Sequence, residues 1–289
     1  MISLPLNPEN PGEVLACLGL FEIAHLYEAC YGGFKEEGGR VVFELQSSLS
    51  LRDLLQCIKD AEIKDVPREE FSGGARLEFG EKEWSRWSPI RIRMEFPPPR
   101  NKIVKIVLKW WLNPLFQKEE KSFLKGWSGN QKPLDVLGKL QEKIQEKIKE
   151  IGVDRLLQDF WYRIPFPSRG FDARGAWDPA MTGYSFEAIK KKSEKDEEKN
   201  PYISPLCEFL AFVALRSFHP REVQRGNEKW IEYYLWKTAL PHNMARLALI
   251  GVLNREYLLS GWRAKIVKRG SLERGGSYGS LGQAEPIFL

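Results

Sequence analysis

The sequence predicts an α+β fold, a mixed or antiparallel sheet packed against helices. Three observations point to it. Short alternating segments, Ile90 to Phe96 and Ile103 to Trp111, read as strands. Two proline-started segments with apolar residues at nearly every position read as helices buried on most sides. Between these helices lies a long, charged helical pattern, Leu134 to Phe160. The apolar segments also match one another. Glu13-Val14-Leu15-Ala16-Cys17-Leu18-Gly19-Leu20 aligns without gaps to Glu208-Phe209-Leu210-Ala211-Phe212-Val213-Ala214-Leu215, and each follows an Asn-Pro (Asn7-Pro8, Asn200-Pro201) and a second proline (Pro11, Pro205). Proline suits a helix start because its missing N–H would be unpaired there anyway. Two readings fit: two unrelated buried helices, or an internal duplication giving two related halves, each built on a proline-started core helix. On the second, residues 1–120 are an N-terminal α/β half with basic, Trp-rich strands, 121–198 a helical middle with loop motifs, and 199–289 a C-terminal half resembling the first.

The elements follow in order. Ile2 to Leu6 is a short strand leading into the first helix, which runs to about Tyr31. Gly32-Gly33 and Gly38-Gly39 punctuate the chain, and Arg40 to Leu45 alternates like a strand. Leu49 to Ile63 fits an amphipathic helix with Ser50 as N-cap. In the strand from Ile90, Arg91, Arg93 and Glu95 share one face and Ile90, Ile92, Met94 and Phe96 the other; in the next, Lys105 and Lys109 share a face with Ile103 and Val107. The helix from Leu134 breaks at Gly152. Its like-charged i,i+4 neighbours, Glu142–Glu146 and Lys143–Lys147, mean that it relies on packing rather than on surface ion pairs. Lys190 to Asn200 reads as an exposed linker. After the second apolar helix come a strand, Trp230 to Trp236, a short helix, Asn243 to Leu253, and a strand, Trp262 to Val267. The Gly/Ser-rich tail from Gly270 to Gly282 reads as a surface loop.

A chain of 289 residues with 43% hydrophobic content can bury a sizeable core. No run of about twenty apolar residues is present, so no membrane span is expected. No secretion signal is visible at the N-terminus, and Cys17, Cys30, Cys57 and Cys207 are scattered without a CxxC pair; a cytoplasmic, thiol-reduced protein is expected. His25, His219 and His242 have no metal-ligand spacing, and His25 is expected to pack on its own helix. Nucleotide-loop and nucleophile-elbow motifs are absent. Asp172 and Asp178 are a candidate carboxylate pair, more often structural than catalytic. No catalytic residue, metal site or cofactor is expected, and binding is favoured over catalysis.

The binding chemistry is cationic and aromatic. From Trp84 to Lys118 there are eight Lys/Arg and one acid, interleaved with Trp84, Trp87, Trp110 and Trp111; from Arg216 to Arg274 there are twelve Lys/Arg against five acids. Such stretches suit a polyphosphate chain, with cations on the backbone and flat rings on bases. The bland alternative is a tryptophan core with a solvated cationic rim. Candidate contacts are Arg91, Arg93, Lys105, Lys109, Arg263 and Lys265. Two further motifs add to these. Lys125, Trp127 and Gln131 lie in a glycine-bracketed segment before the long helix, where backbone N–H groups could face an anion. Arg169 and Arg174 lie in Phe166 to Asp178, which is either a salt-bridged loop or a phosphate fork.

Four segments occur in order: Asn10-Pro11-Gly12-Glu13 through Glu22, Lys125 to Gln131, Phe171-Asp172-Ala173-Arg174 to Asp178, and Pro205 to Ala211. Together they resemble the small Csb/Csx-type subunits encoded with type I-G (formerly I-U) CRISPR loci, although that family usually has Asn-Pro-Gly-Gln at the first motif. The resemblance implies a non-catalytic subunit of a crRNA-guided surveillance complex in antiviral defence. Its partners would be the other type I-G effector subunits and crRNA, target DNA or both, with no membrane. It leaves open whether the chain takes the position of the large PAM-reading subunit, and it assigns cutting to a separate helicase-nuclease. The alternative from the residues is an enzyme acting on a nucleotide or phosphate-containing substrate, with its site in the Lys125–Gln131 and Arg169–Asp178 loops.

Overall fold

The computed structural model describes residues 1–70, 84, 88–96, 101–111, 124, 132–166, 170–173, 202–269 and 278–287. The fold is α+β, and the pairings among the described strands are antiparallel. The first sheet holds β1 (Ile2–Leu6), β2 (Tyr31–Glu37), β3 (Arg40–Gln46) and the short β11 (Leu240–Pro241), in the order β1-β3-β2-β11. A second, ordered β4-β5-β6, comprises β4 (Glu62–Asp65), β5 (Ile90–Glu95) and β6 (Ile103–Leu108). The third comprises β9 (Arg221–Arg225), β10 (Glu228–Trp236), β12 (Leu258–Arg269) and β13 (Tyr278–Ile287), ordered β13-β12-β10-β9. Strands β7 (Ile164–Pro165) and β8 (Tyr202–Ile203) pair with each other.

At the centre lie two helices, α1 (Pro11–His25) and the later helix Pro205–Ala214. Every residue from Pro11 to Ala24 and from Pro205 to Ala214 is buried, as their unbroken apolar pattern predicts. Each starts on a side-chain cap followed by proline: Asn10 accepts from the Gly12 N–H, and Ser204 from the Cys207 N–H. Asn10 and the Ser204 backbone bond the same Asp172 carboxylate, Gly19 meets Leu210 midway, and Glu22 meets Arg216 at the far end. The two helices therefore run side by side in the same direction. A Cβ on Gly19 would lie 2.1 Å from the Leu210 carbonyl oxygen, so only glycine permits this approach.

The other helices close the layers. α2 (Leu51–Asp60) begins on a capping box in which the Ser50 hydroxyl and Asp53 carboxylate serve each other's backbone N–H. α3 (Pro133–Ile151) breaks at Gly152, with φ 78°, into α4 (Val153–Gln158). Buried Gln141 of α3 donates to the Ile58 and Ala61 carbonyls, satisfying the end of α2. Packing of Val136, Leu137, Leu140, Ile144 and Ile148 holds α3, but ion pairing is present as well: Lys143–Glu146 at 2.6 Å and Lys147–Glu150 at 3.0 Å. The like-charged i,i+4 neighbours rotate into i,i+3 pairs. We number the helix Pro205–Ala214 α5 and His242–Leu249 α6. Among the described residues, no helix is long and apolar enough to cross a membrane.

Several expectations differ, among them the ends of two helices: α2 stops at Asp60 and α6 at Leu249, short of the expected Ile63 and Leu253. α1 ends at His25, not Tyr31, and Gly32-Gly33 lie inside β2. Those glycines mark close contact rather than a turn: a Cβ on Gly32 would lie 2.8 Å from the Phe21 ring, and one on Gly33 2.9 Å from the Thr238 carbonyl oxygen. The tail from Gly270, read as a surface loop, ends in β13, which buries Leu281 and Ala284 against the sheet. As an edge strand it tolerates Pro286 and glycine, which hide it from pattern reading. β8, which precedes α5, pairs with β7 rather than with the hairpin after its helix, whereas β1 pairs with β3 of its own hairpin. The linker 190–200 lies outside the described residues.

Gly19→Ala and Gly138→Ala should move stability in opposite directions. The first forces α1 and α5 apart and should cost about 1–3 kcal/mol or more. The second adds a Cβ in open space within α3 and should gain about 0.5–1 kcal/mol. Urea unfolding of both variants checks this; equal effects would refute the close-contact account.

Candidate nucleic-acid interface

The two sheets carrying the sequence's basic candidates are built by simple alternation. In the β4-β5-β6 sheet, Ile90, Ile92, Met94, Val104, Ile106 and Leu108 are buried, which turns Arg91, Arg93 and Lys105 outward. Register puts Arg93 opposite Glu62 on one side and Lys105 on the other, and Arg91 opposite Lys64. Acids answer most of this charge. Glu70 pairs Arg91, Glu62 pairs Lys64, and Glu95 lies 3.5 Å from Arg93. Lys105 makes no ion pair among the described residues. Lys109 is exposed just beyond the end of β6. Lys102, counted with this strip in sequence, instead bonds the Leu26 and Tyr27 carbonyls and covers the end of α1. Trp84, Trp110 and Trp111 pack into or against the core rather than standing out for bases.

On the C-terminal sheet, Arg263 and Lys265 lie over the Trp230 ring at 5.4 and 5.6 Å. Their charge is met across strands: Arg263 bonds Glu285 at 2.5 Å and Lys265 bonds Glu228. Arg221 and Arg225 both meet Glu232. Counting charge along the chain misses these pairs because the partners come from neighbouring strands, Glu285 from β13 beyond the glycine-rich tail. Lys125, Trp127, Gln131, Arg169, Arg174 and Asp178 lie outside the described residues.

Asp172 belongs to a buried polar network where α1 and α5 begin. Its carboxylate takes bonds from Asn10 Nδ2 and the Ser204 N–H, both at 2.8 Å, and lies 3.3 Å from Arg163 Nε. Arg163 Nη2 reaches Glu13 at 3.0 Å. Glu208 accepts the N–H groups of Gly170, Phe171 and Asp172 at 2.7–3.0 Å. The nearby Cys17 and Cys207 thiols are pushed well up by burial and then by these carboxylates, so they stay protonated and inert.

At the opposite end of the helix pair, the structure assembles a cluster with no spacing signal in sequence. His25 is exposed and does not simply pack on its own helix: it stacks on His242 of α6, ring centroids 4.1 Å apart and planes 8° from parallel. His242 Nε2 donates to buried Glu22 at 2.6 Å, and Arg216 pairs the same carboxylate. Burial pushes the Glu22 pKa up, but the His242 hydrogen bond and the Arg216 charge outweigh it and hold the group below its ordinary value. Burial, then the charge of His242, lowers His25 below the usual 6.5.

No protein-family model matches the chain, and neither does a curated protein or a solved structure.

A His25 pKa below 6.5 means the unfolded chain binds more protons between the folded and unfolded values. The stability it contributes is complete above pH 6.5 and is lost as pH falls through the lowered folded value. Imidazole NMR should show His25 titrating below 6.5 and moving up in His242→Gln; titration at or above 6.5 in the parent protein would refute the stacking account.

Proposed function

We propose that this chain is a non-catalytic subunit of a type I-G CRISPR crRNA-guided surveillance complex, contacting crRNA or target DNA in antiviral defence. The carrying observation is convergence. Three of the segments that bear the family resemblance, those beginning at Asn10, Phe171 and Pro205, are far apart in sequence yet contribute Asn10, Glu13, Asp172, Ala173 and Glu208 to one buried hydrogen-bonded network. Polar residues from distant segments that meet in one buried network are those expected of one fold's structural signature, not of chance apolar patterning. In RNA-guided recognition, pairing reads sequence while the protein grips backbone. The outward face of β5 and β6 suits that task, with Arg91, Arg93 and Lys105 side by side. Its acid partners are exposed, where an ion pair is worth only about 0–1 kcal/mol, so a phosphate can displace them.

The test is copurification: expressed with its neighbouring type I-G subunits, the chain should return with them and a guide RNA. In that assembled complex, replacing Arg91, Arg93, Lys105 and Lys109 with Gln should flatten the dependence of log K on log salt by about 0.7–0.9 per lost phosphate contact. The melting temperature should hardly move. An unchanged slope in a folded complex would remove this face from the contact.

A further inference from the structure

A cleft of about 560 Å³ opens where the β1–α1 connection passes the start of β3. Its volume lies within the roughly 300–1,000 Å³ of small-ligand sites. Pro5, Asn7, Glu9, Arg40, Val41 and Trp161 line it. We propose that this cleft binds one nucleotide unit, a base with its phosphate, either free or within a single strand.

The lining supplies the groups such a ligand needs, already positioned. Trp161 is half-buried; its Nε1 donates to the Pro5 carbonyl at 2.7 Å, and its ring meets Phe160 edge-on at 4.8 Å. The indole is therefore held in place, ready to stack a base without first being ordered. Asn7 Oδ1 accepts the Glu9 N–H, which leaves the Asn7 amide N–H groups without a partner among the described residues. The Glu9 carboxylate takes one bond, from Gln283 at 2.5 Å, and retains acceptor capacity. A donor and an acceptor thus meet the edge of a base or the hydroxyls of a ribose. Arg40 is exposed and makes no ion pair among the described residues, unlike the arginines of the basic sheets. Its permanently charged fork matches a phosphate. A flat ring, a donor–acceptor edge and one unanswered guanidinium together match a nucleotide better than a purely apolar or purely anionic ligand. The cleft's fit rests on its own lining and is independent of membership in an effector complex.

Calorimetric titration of the full chain with AMP, UMP and the pentanucleotides rU5 and dT5 tests it. At least one probe should bind saturably, weakened about tenfold or more by Trp161→Ala and by Arg40→Ala. Trp161→Phe keeps a stacking ring and should retain most of the binding. Monophosphates binding as well as the pentanucleotides identify a free nucleotide; binding of pentanucleotides alone identifies a strand. Arg40→Ala touches an exposed side chain with no ion pair among the described residues and should melt with the parent, so it decides the case if Trp161→Ala does not fold. Absence of binding by every probe at millimolar concentration, or binding unchanged in Arg40→Ala, overturns the proposal. Loss of copurification with effector subunits would leave these titrations unaffected, so the two readings fail separately.

Discussion

Two buried helices running in the same direction impose an electrostatic problem on this fold. Each helix carries partial positive charge at its start and partial negative charge at its end. Setting α1 and α5 parallel brings like ends together, out of water. The side chains answer at both poles. Buried Glu13 and Glu208 sit in the first turns of α1 and α5, with Asp172 bridging the two caps. At the far pole Arg216, His242, His25 and Lys102 gather around the last turn of α1. Gly19 makes the close approach, and the charges at each end make it tolerable.

The first pole also explains why the chain from Gly170 to Ala173 is drawn inside. Three buried carboxylates with Arg163 as their cation among the described residues would be costly unless hydrogen-bonded. The backbone of this segment supplies the missing donors, three N–H groups to Glu208 and one to Asn10. A network of this kind gains little net stability over an apolar core, but losing one member strands a buried charge. That asymmetry accounts for the unusual density of Asn, Asp, Glu and Arg in motifs otherwise surrounded by apolar residues.

What could be read from sequence follows the range of the interaction. Period-two alternation exposed β5 and β6 and the correct outward faces, and local capping chemistry located Ser50 and the break at Gly152. Gly32-Gly33 misled because a glycine in a turn and a glycine under a neighbouring ring look alike in one dimension; Phe21 and Thr238 decide between them. Charge on the basic strips was overread for a related reason. Arg263 and Lys265 are cationic along the chain, but Glu285 and Glu228 become neighbours only through strand register. The stacked histidines lie on α1 and α6, and nothing local marks them as partners.

The two poles differ in what they can do. The N-terminal pole is sealed, and its rigidity extends outward along residues 7–10. The Asn7 N–H bonds Glu13, the Pro8 carbonyl takes the Tyr233 hydroxyl, and the Glu9 carbonyl takes the Ala284 N–H. Strands β10 and β13, from the C-terminal part of the chain, thus clamp the connection that lines the Trp161 cleft. A recognition site built on such a clamped segment loses little freedom when a ligand arrives, which favours affinity without induced ordering. The C-terminal pole instead reaches the surface through His25, the one ring of the pair open to solvent. Its charge state answers to pH while Glu22, below, stays ionised through two partners. One pair of helices therefore presents a fixed platform at its start, where Glu13 and Glu208 complement both dipoles, and a titratable face at its end, where Arg216 and His242 answer the buried Glu22 as well as the end of α1.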